Sequence, residues 1–230
     1  MKYMGSKNRI AKYILPIMLS EKKPDQWWVE PFVGGANIID KVMGNRIGND
    51  SHEYLIALLT ALRDGYIPPT NISREVYYAI KSEPHTYPKE LVGFVGFLCS
   101  FGGKWWGGYA LPNNKEENHA EIGSRCLVKQ AKNLDGVVFK SGSYLELEIP
   151  EHSLIYCDPP YANTCKYRDD FNHDVFWEWC RTQAKSGHTV FISEYSAPND
   201  FVCIKEIPHK TILDKNSQYP RLEKLFRYKV

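Results

Sequence analysis

Leu154-Ile155-Tyr156-Cys157 runs without a break into Asp158-Pro159-Pro160-Tyr161, and this octet decides how the rest of the chain is read. Four apolar residues that end at a turn signal predict a buried strand. The two prolines fix φ, remove two backbone donors and keep the residue before them extended. The Asp158 side chain and the neighbouring carbonyl are therefore held rigidly at the strand's carboxyl end, the edge at which open α/β sheets bind ligands.

Working outward, the pattern on the N-terminal side agrees. Ile10, Tyr13, Ile14, Ile17 and Met18 recur at helical spacing over residues 7 to 22, with Ser6 as N-cap and Pro16 expected to kink or shorten the helix. Trp27 to Phe32 reads as a buried strand, Gly34-Gly35 breaks it, and a helix is expected from there to about Met43. Arg46 to Asn49 is a second strand ending at Asp50, and Leu55, Ile56, Leu58, Leu59 and Leu62 mark the next helix. This β-α-β-α series predicts a parallel sheet covered by helices.

From Gly65 to about Gly136 the alternation stops, with helical segments at Ser73 to Lys81 and Lys89 to Leu98 and a Gly/Trp-rich stretch, FGGKWWGGYALPNN. Strand-like runs resume at Val137 to Lys140, Leu154 to Cys157, Thr189 to Ser193 and Leu222 to Val230, with a helix at about Asp174 to Lys185. The expected architecture is α/β and Rossmann-like, with about seven mostly parallel strands. Residues 1–64 and 137–230 form its main domain, and residues 65–136 a helical insertion.

Bulk properties bound the function. The chain has 230 residues, 43% hydrophobic and 24% charged, enough for one sizeable core. Lys and Arg are spread through the first residues and no apolar stretch is long enough to span a bilayer, so the expectation is a cytoplasmic protein with no membrane partner. Six cysteines without a CxxC pair and seven histidines without a cluster predict free thiols and no metal. The net charge of +2 is unevenly placed: residues 1–23 carry six Lys or Arg against one acid, and residues 201–230 seven against three. If the two ends converge they make a basic face suited to phosphates, although basic termini are as often merely solvated.

Two motifs carry chemistry. In Val29-Glu30-Pro31-Phe32-Val33-Gly34-Gly35-Ala36-Asn37, glycines between strand and helix let a ligand approach the backbone and the helix N–H groups. Asp50 falls 15 residues beyond Gly35 at the end of the next strand, where a carboxylate accepts hydrogen bonds from both hydroxyls of a ribose. Together they favour an adenosine-bearing cofactor. At the second motif, Asp158 and the Pro159 carbonyl offer two acceptors to an exocyclic amine. Such an amine is a poor nucleophile until its lone pair is localised and its proton taken up. Tyr161 adds an aromatic face for a base rotated out of a duplex.

With these residues in hand, the chain resembles the DNA adenine methyltransferase (Dam) family, in particular its phage-encoded members. Tyr3-Met4-Gly5-Ser6-Lys7 resembles the family's opening motif, VEPFVGGAN its cofactor turn, and YCDPPY its catalytic loop, in the family's order. ISEYSAP (Ile192 to Pro198) and EKLF (Glu223 to Phe226) look like its closing strands. The resemblance implies a site-specific adenine N6-methyltransferase that uses S-adenosyl-L-methionine on double-stranded DNA, with no obligate protein partner. It implies catalytic roles for Asp158, Pro159, Pro160 and Tyr161. It implies cofactor contacts from Tyr3, Lys7, Glu30, Pro31, Phe32, Gly34, Gly35, Asp50, Ser143, Tyr144 and Asp158. The family usually has Trp where this chain has Tyr3, and often an acid where it has Ser143.

The insertion departs most from the family, so no target sequence carries over. Lys104, Trp105, Trp106 and Tyr109 are read either as aromatic wedges with a phosphate-binding cation or as packing anchors of the insertion. Lys166 and Arg168, in the loop after the catalytic motif, are read as DNA contacts or as part of a mobile connection. Competing functions are methylation of cytosine N4 or of an RNA base, and an inactive methyltransferase-like DNA-binding protein. A protein-glutamine methyltransferase is disfavoured, because those resemble Asn-Pro-Pro-Tyr at the place of Asp158.

Overall fold

The computed structural model describes residues 1–111, 118–161, 171–209 and 221–229. Seven strands form one sheet in the order β3-β2-β1-β4-β5-β7-β6. They are β1 (Trp28–Glu30), β2 (Arg46–Asp50), β3 (Val137–Ser141), β4 (Leu154–Cys157), β5 (Thr189–Glu194), β6 (Phe201–His209) and β7 (Arg221–Tyr228). The first five pair in parallel, and the β6–β7 hairpin adds to β5 antiparallel. The chain leaves β1 towards β2 and later returns on its other side as β4. The carboxyl ends of β1 and β4 therefore flank the crevice where the strand order reverses, the binding edge of this architecture.

Strand periodicity sorts the core into two layers. Trp28, Tyr156 and Phe191 face one apolar cluster with helices α1 (Ala11–Glu21), α2 (Glu53–Arg63) and α4 (Lys89–Leu98). Their alternates Val29, Ile155, Cys157, Val190 and Ile192 face the other, against α6 (His173–Lys185). The β2-to-β3 crossover carries α2, α3 (Arg74–Ser82), α4 and α5 (His119–Ala131). Its buried residues Phe94, Phe97, Leu98 and Leu127 lie in the same cluster as Trp28 and Tyr156. The helical block therefore shares the core of the sheet.

Three local expectations change. No helix follows Gly34-Gly35: a three-residue 3-10 turn, Ile39–Lys41, is all that forms before β2. Gly34 and Ala36 both have positive φ, 47° and 55°, which an α-helix does not accommodate. Ser6 does cap, but it caps a 3-10 turn over Lys7–Arg9, with its hydroxyl accepting from the Asn8 N–H; α1 begins after it at Ala11 and contains Pro16. Finally, β6 and α5 are elements that the periodicity does not announce. β6 is an edge strand with Pro208 near its end and a bulge between Cys203 and Lys205. The buried face of α5 is Ala120, Gly123, Ser124, Leu127 and Gln130, with a single large apolar residue.

Candidate active site

Asn49 ties the strand ends together. Its side-chain amide donates to the Pro31 carbonyl at 3.1 Å and to the Gly142 carbonyl at 3.0 Å, joining β1, β2 and β3 at the edge where the site forms. Beside it, Asp50 accepts from the Gly34 N–H at 3.1 Å through one oxygen and from the His52 N–H at 3.0 Å through the other. Burial pushes its carboxyl above the usual range, partly offset by those two donors. Each oxygen keeps a lone pair for a further donor.

The glycines serve a purpose other than the expected one. A Cβ on Gly34 would stand 2.9 Å from Cε1 of Tyr3, and one on Gly35 2.8 Å from Cβ of Tyr3. The turn is therefore closed on one side by Tyr3, whose ring packs against Phe97 at 5.4 Å. Because no helix starts here, helix N–H groups are not the donors at this turn; the Gly34 N–H is already spent on Asp50. Glu30, at the end of β1, is buried and accepts from Trp28 Nε1 at 2.8 Å, and burial holds its carboxyl well above the carboxylate range.

At the end of β4 the structure brings the opening and catalytic motifs together. Lys7 Nζ lies 2.9 Å from Asp158 Oδ1 and 3.8 Å from Glu223 Oε1. The first approach is an ion pair, so the buried Asp158 Oδ1 has the Lys7 ammonium as its partner. Lys7 Nζ also stands 4.3 Å from the centre of the Tyr161 ring. The Tyr161 hydroxyl donates to Glu223 Oε2 at 2.6 Å, and its ring meets Tyr195 edge-on at 4.7 Å. Burial is the largest influence on Asp158 and pushes it up to about 6 despite Lys7.

A third grouping is aromatic. Tyr144, whose neighbour Ser143 caps the turn Tyr144–Glu146, packs against Phe32 at 5.0 Å, with Phe171 and Phe176 also on Phe32 at 5.8 and 5.7 Å. In the crossover, Trp105 packs against His52 at 4.2 Å and Phe97 at 4.8 Å, and Trp106 against Tyr77 at 5.2 Å. The Tyr109 hydroxyl donates to the Ile72 carbonyl at 2.9 Å. Of the two readings of these rings, the geometry is that of packing anchors, while Lys104 is exposed. The backbone of this loop touches the opening motif, where the Met4 N–H donates to the Gly103 carbonyl at 3.2 Å. Lys166 and Arg168 lie outside the described residues.

Glu223 and His52 are the neighbours of the site that the sequence did not single out. Glu223 reaches it only because β7 runs antiparallel to β5, a pairing with no local signature. His52 caps α2 by accepting from the Leu55 N–H through Nδ1, at 3.3 Å, and burial lowers it to about 4.

A parallel sheet in the order 3-2-1-4-5, closed by an antiparallel hairpin, with acids at the ends of β1 and β2 and Asp-Pro-Pro-Tyr after β4, is a Rossmann-like α/β fold. Within that class, residues 3–92 match the family model of the D12 class N6 adenine-specific DNA methyltransferases. Over that segment the chain is similar to the DNA adenine methyltransferases, and S-adenosylmethionine is the cofactor the likeness implies. Among solved structures, the chain is similar to SMU.472, described as a methyltransferase and complexed with SAH, at 14% identity and a TM-score of 0.44. The likeness covers 96% of this chain and 52% of that one, so the chain spans about half the length of the structure it matches. No curated protein matches the chain. Among the described residues no helix is long and apolar enough to cross a membrane.

The residues present fit such a cofactor. Asp50 retains acceptor capacity at the end of β2, where ribose hydroxyls need it. Asp158, just after β4, and Glu30, at the end of β1, put two carboxyl groups at this edge of the sheet.

Proposed function

We propose that this chain methylates the N6 amine of adenine in duplex DNA, at a base rotated out of the helix into the crevice beside β4. The observation that carries this reading is Asp158: a half-buried carboxyl on a rigid Pro-Pro turn, ion-paired with Lys7 and grouped with Tyr161. A carboxyl held rigidly at that edge is placed to accept from an exocyclic N–H.

In the proposed reaction Asp158 and the Pro159 carbonyl accept from the amine and draw its lone pair away from the ring. Pro160 keeps the turn rigid, and Tyr161 offers its ring to the base. Asp50 holds the ribose of the cofactor. Glu30, Pro31, Phe32, Gly34, Gly35 and Tyr3 shape the crevice floor, and Ser143 and Tyr144 flank it next to Phe32. S-adenosylmethionine, when bound, supplies a methyl group on a sulfonium whose departing thioether is a good leaving group. Positioning the amine in line with that methyl is the protein's main contribution.

For the DNA, residues 65–136 are the proposed recognition block. Lys104 is one of its exposed cations, and Phe101 beside it in the sequence is 72% exposed. Trp105, Trp106 and Tyr109 support that loop from within. The test is transfer of label from methyl-labelled S-adenosylmethionine to the DNA fraction, comparing the wild type with Asp158→Asn. Transfer that vanishes in the variant supports the reading, and equal transfer by both contradicts it.

A further inference from the structure

Glu223 stands in a position that the catalytic motif does not account for. It is 6% exposed, comes from β7 near the outer end of the sheet, and reaches across to the turn after β4. One oxygen accepts from the Tyr161 hydroxyl at 2.6 Å, and the other lies 3.8 Å from Lys7 Nζ. Lys7 is thus shared between two carboxyl groups, Asp158 and Glu223, with the Tyr161 ring 4.3 Å away.

From this geometry we infer that Glu223 is a positioning residue for methyl transfer: it fixes the Tyr161 ring through its hydroxyl and divides the Lys7 charge with Asp158. The inference rests on the proposed function of the Asp158 site. A buried Tyr hydroxyl seeks a partner, and here the partner is a charged acceptor on a different strand. The ring that is to face the extruded base is thereby held by the closing hairpin as well as by its own turn. Without Glu223, Tyr161 would lose that hydrogen bond, and Lys7 would keep Asp158 and the Gly5 carbonyl as partners.

The second consequence is electrostatic. The ionisable groups that bear on Asp158 are Lys7 from the opening motif, Glu223 from β7, Tyr161 on its own turn, Tyr156 and Cys157 on β4 and Glu30 on β1. The Glu223 charge raises Asp158, and Lys7 lowers it. Neutralising Glu223 should lower the Asp158 midpoint.

The experiment uses the full chain and the variants Glu223→Gln, Glu223→Ala, Tyr161→Phe and the double variant Glu223→Ala/Tyr161→Phe. Carboxyl NMR titration of Asp158 in wild type and Glu223→Gln reads the charge without any cofactor, and a lower midpoint in the variant is expected. For turnover, Glu223→Ala and Tyr161→Phe should each lower kcat roughly tenfold with KM for the cofactor within a few-fold. The double variant should be little worse than either single one, and Glu223→Gln should recover most of the Tyr161-dependent loss. An unmoved Asp158 midpoint together with fully additive losses in kcat would overturn the inference, as would a Glu223→Ala defect explained wholly by a lowered Tm. If the wild type transfers no methyl to DNA, the proposed function has failed instead, and the titration still decides whether Glu223 and Asp158 are coupled.

Discussion

Lys7 and Asp158, from opposite parts of the chain, meet at 2.9 Å in an ion pair that joins the opening motif to the catalytic turn. The pair is nearly buried, with side chains 9% and 21% exposed. Breaking a pair of this kind leaves an uncompensated charge, and the cost falls on whichever partner remains.

Removing Lys7 therefore changes Asp158 before it changes anything else. In Lys7→Ala, Asp158 loses the cation that favours its ionised form, so it should titrate above its present value of about 6. A carboxyl raised in the folded state gives stability that is present below the unfolded value and lost as pH rises through the folded one. Thermal melts of this variant should accordingly show a larger loss of Tm between pH 5 and pH 8 than the wild type. An unchanged difference would mean that the ion pair has no energetic weight.

Asp158→Ala should reduce kcat roughly a hundred- to ten-thousand-fold, the range for a lost acid–base group, while the cofactor Kd stays within a few-fold. Calorimetry and a steady-state methyl-transfer assay on the same preparation separate the two quantities. A variant with wild-type kcat would remove Asp158 from the mechanism.

Asp50→Ala should act in the opposite sense, on binding. It deletes the acceptor for the Gly34 and His52 N–H groups as well as the proposed ribose contact. The expected result is a weaker cofactor Kd by at least tenfold and a stability loss of about 1–3 kcal/mol from the orphaned donors. An unchanged Kd would place the ribose elsewhere.

His52 sets a limit on the acid side. Its folded-state value of about 4 lies below the ordinary 6.5, so the stability linked to it is complete above pH 6.5 and is lost as pH falls towards 4. His52→Asn keeps an acceptor for the Leu55 N–H and removes the titration. Its melts between pH 7 and pH 4.5 should fall less steeply than those of the wild type.

Gly93 tests how firmly the helical crossover is fixed to the sheet. A Cβ there would stand 2.2 Å from the backbone carbonyl oxygen of Tyr54, so α4 and α2 approach to the limit that glycine permits. Gly93→Ala should cost about 1–3 kcal/mol or more through forced separation of the helices, measured by denaturant midpoint. A neutral substitution would show that the two helices part easily.

What the sequence revealed was set by how local each signal is. The β4 strand and its Pro-Pro turn were legible because apolar run, prolines and Asp158 are consecutive. β2 and Asp50 were legible because a short strand between two breaks has few alternatives. The helix expected after Gly34 failed because positive φ at Gly34 and Ala36 belongs to a turn packed under Tyr3, a contact made by residues distant in sequence. β6 was missed because an edge strand exposes most of its residues, and α5 because its buried face is mostly small or polar. Glu223 was invisible for a similar reason: its partners are Tyr161 and Lys7, which only the β5–β7 pairing brings near. The aromatic loop showed both of its readings in the sequence, and packing against His52, Phe97 and Tyr77 is what the rings do.

The most direct test is nucleoside mass spectrometry of duplex DNA of mixed sequence after incubation with the purified protein and methyl-labelled S-adenosylmethionine. The account predicts label in N6-methyl-deoxyadenosine and none in the same digest when Asp158→Ala replaces the wild type. Label in 4-methylcytosine, label confined to RNA in a parallel incubation, or none in any base would contradict it.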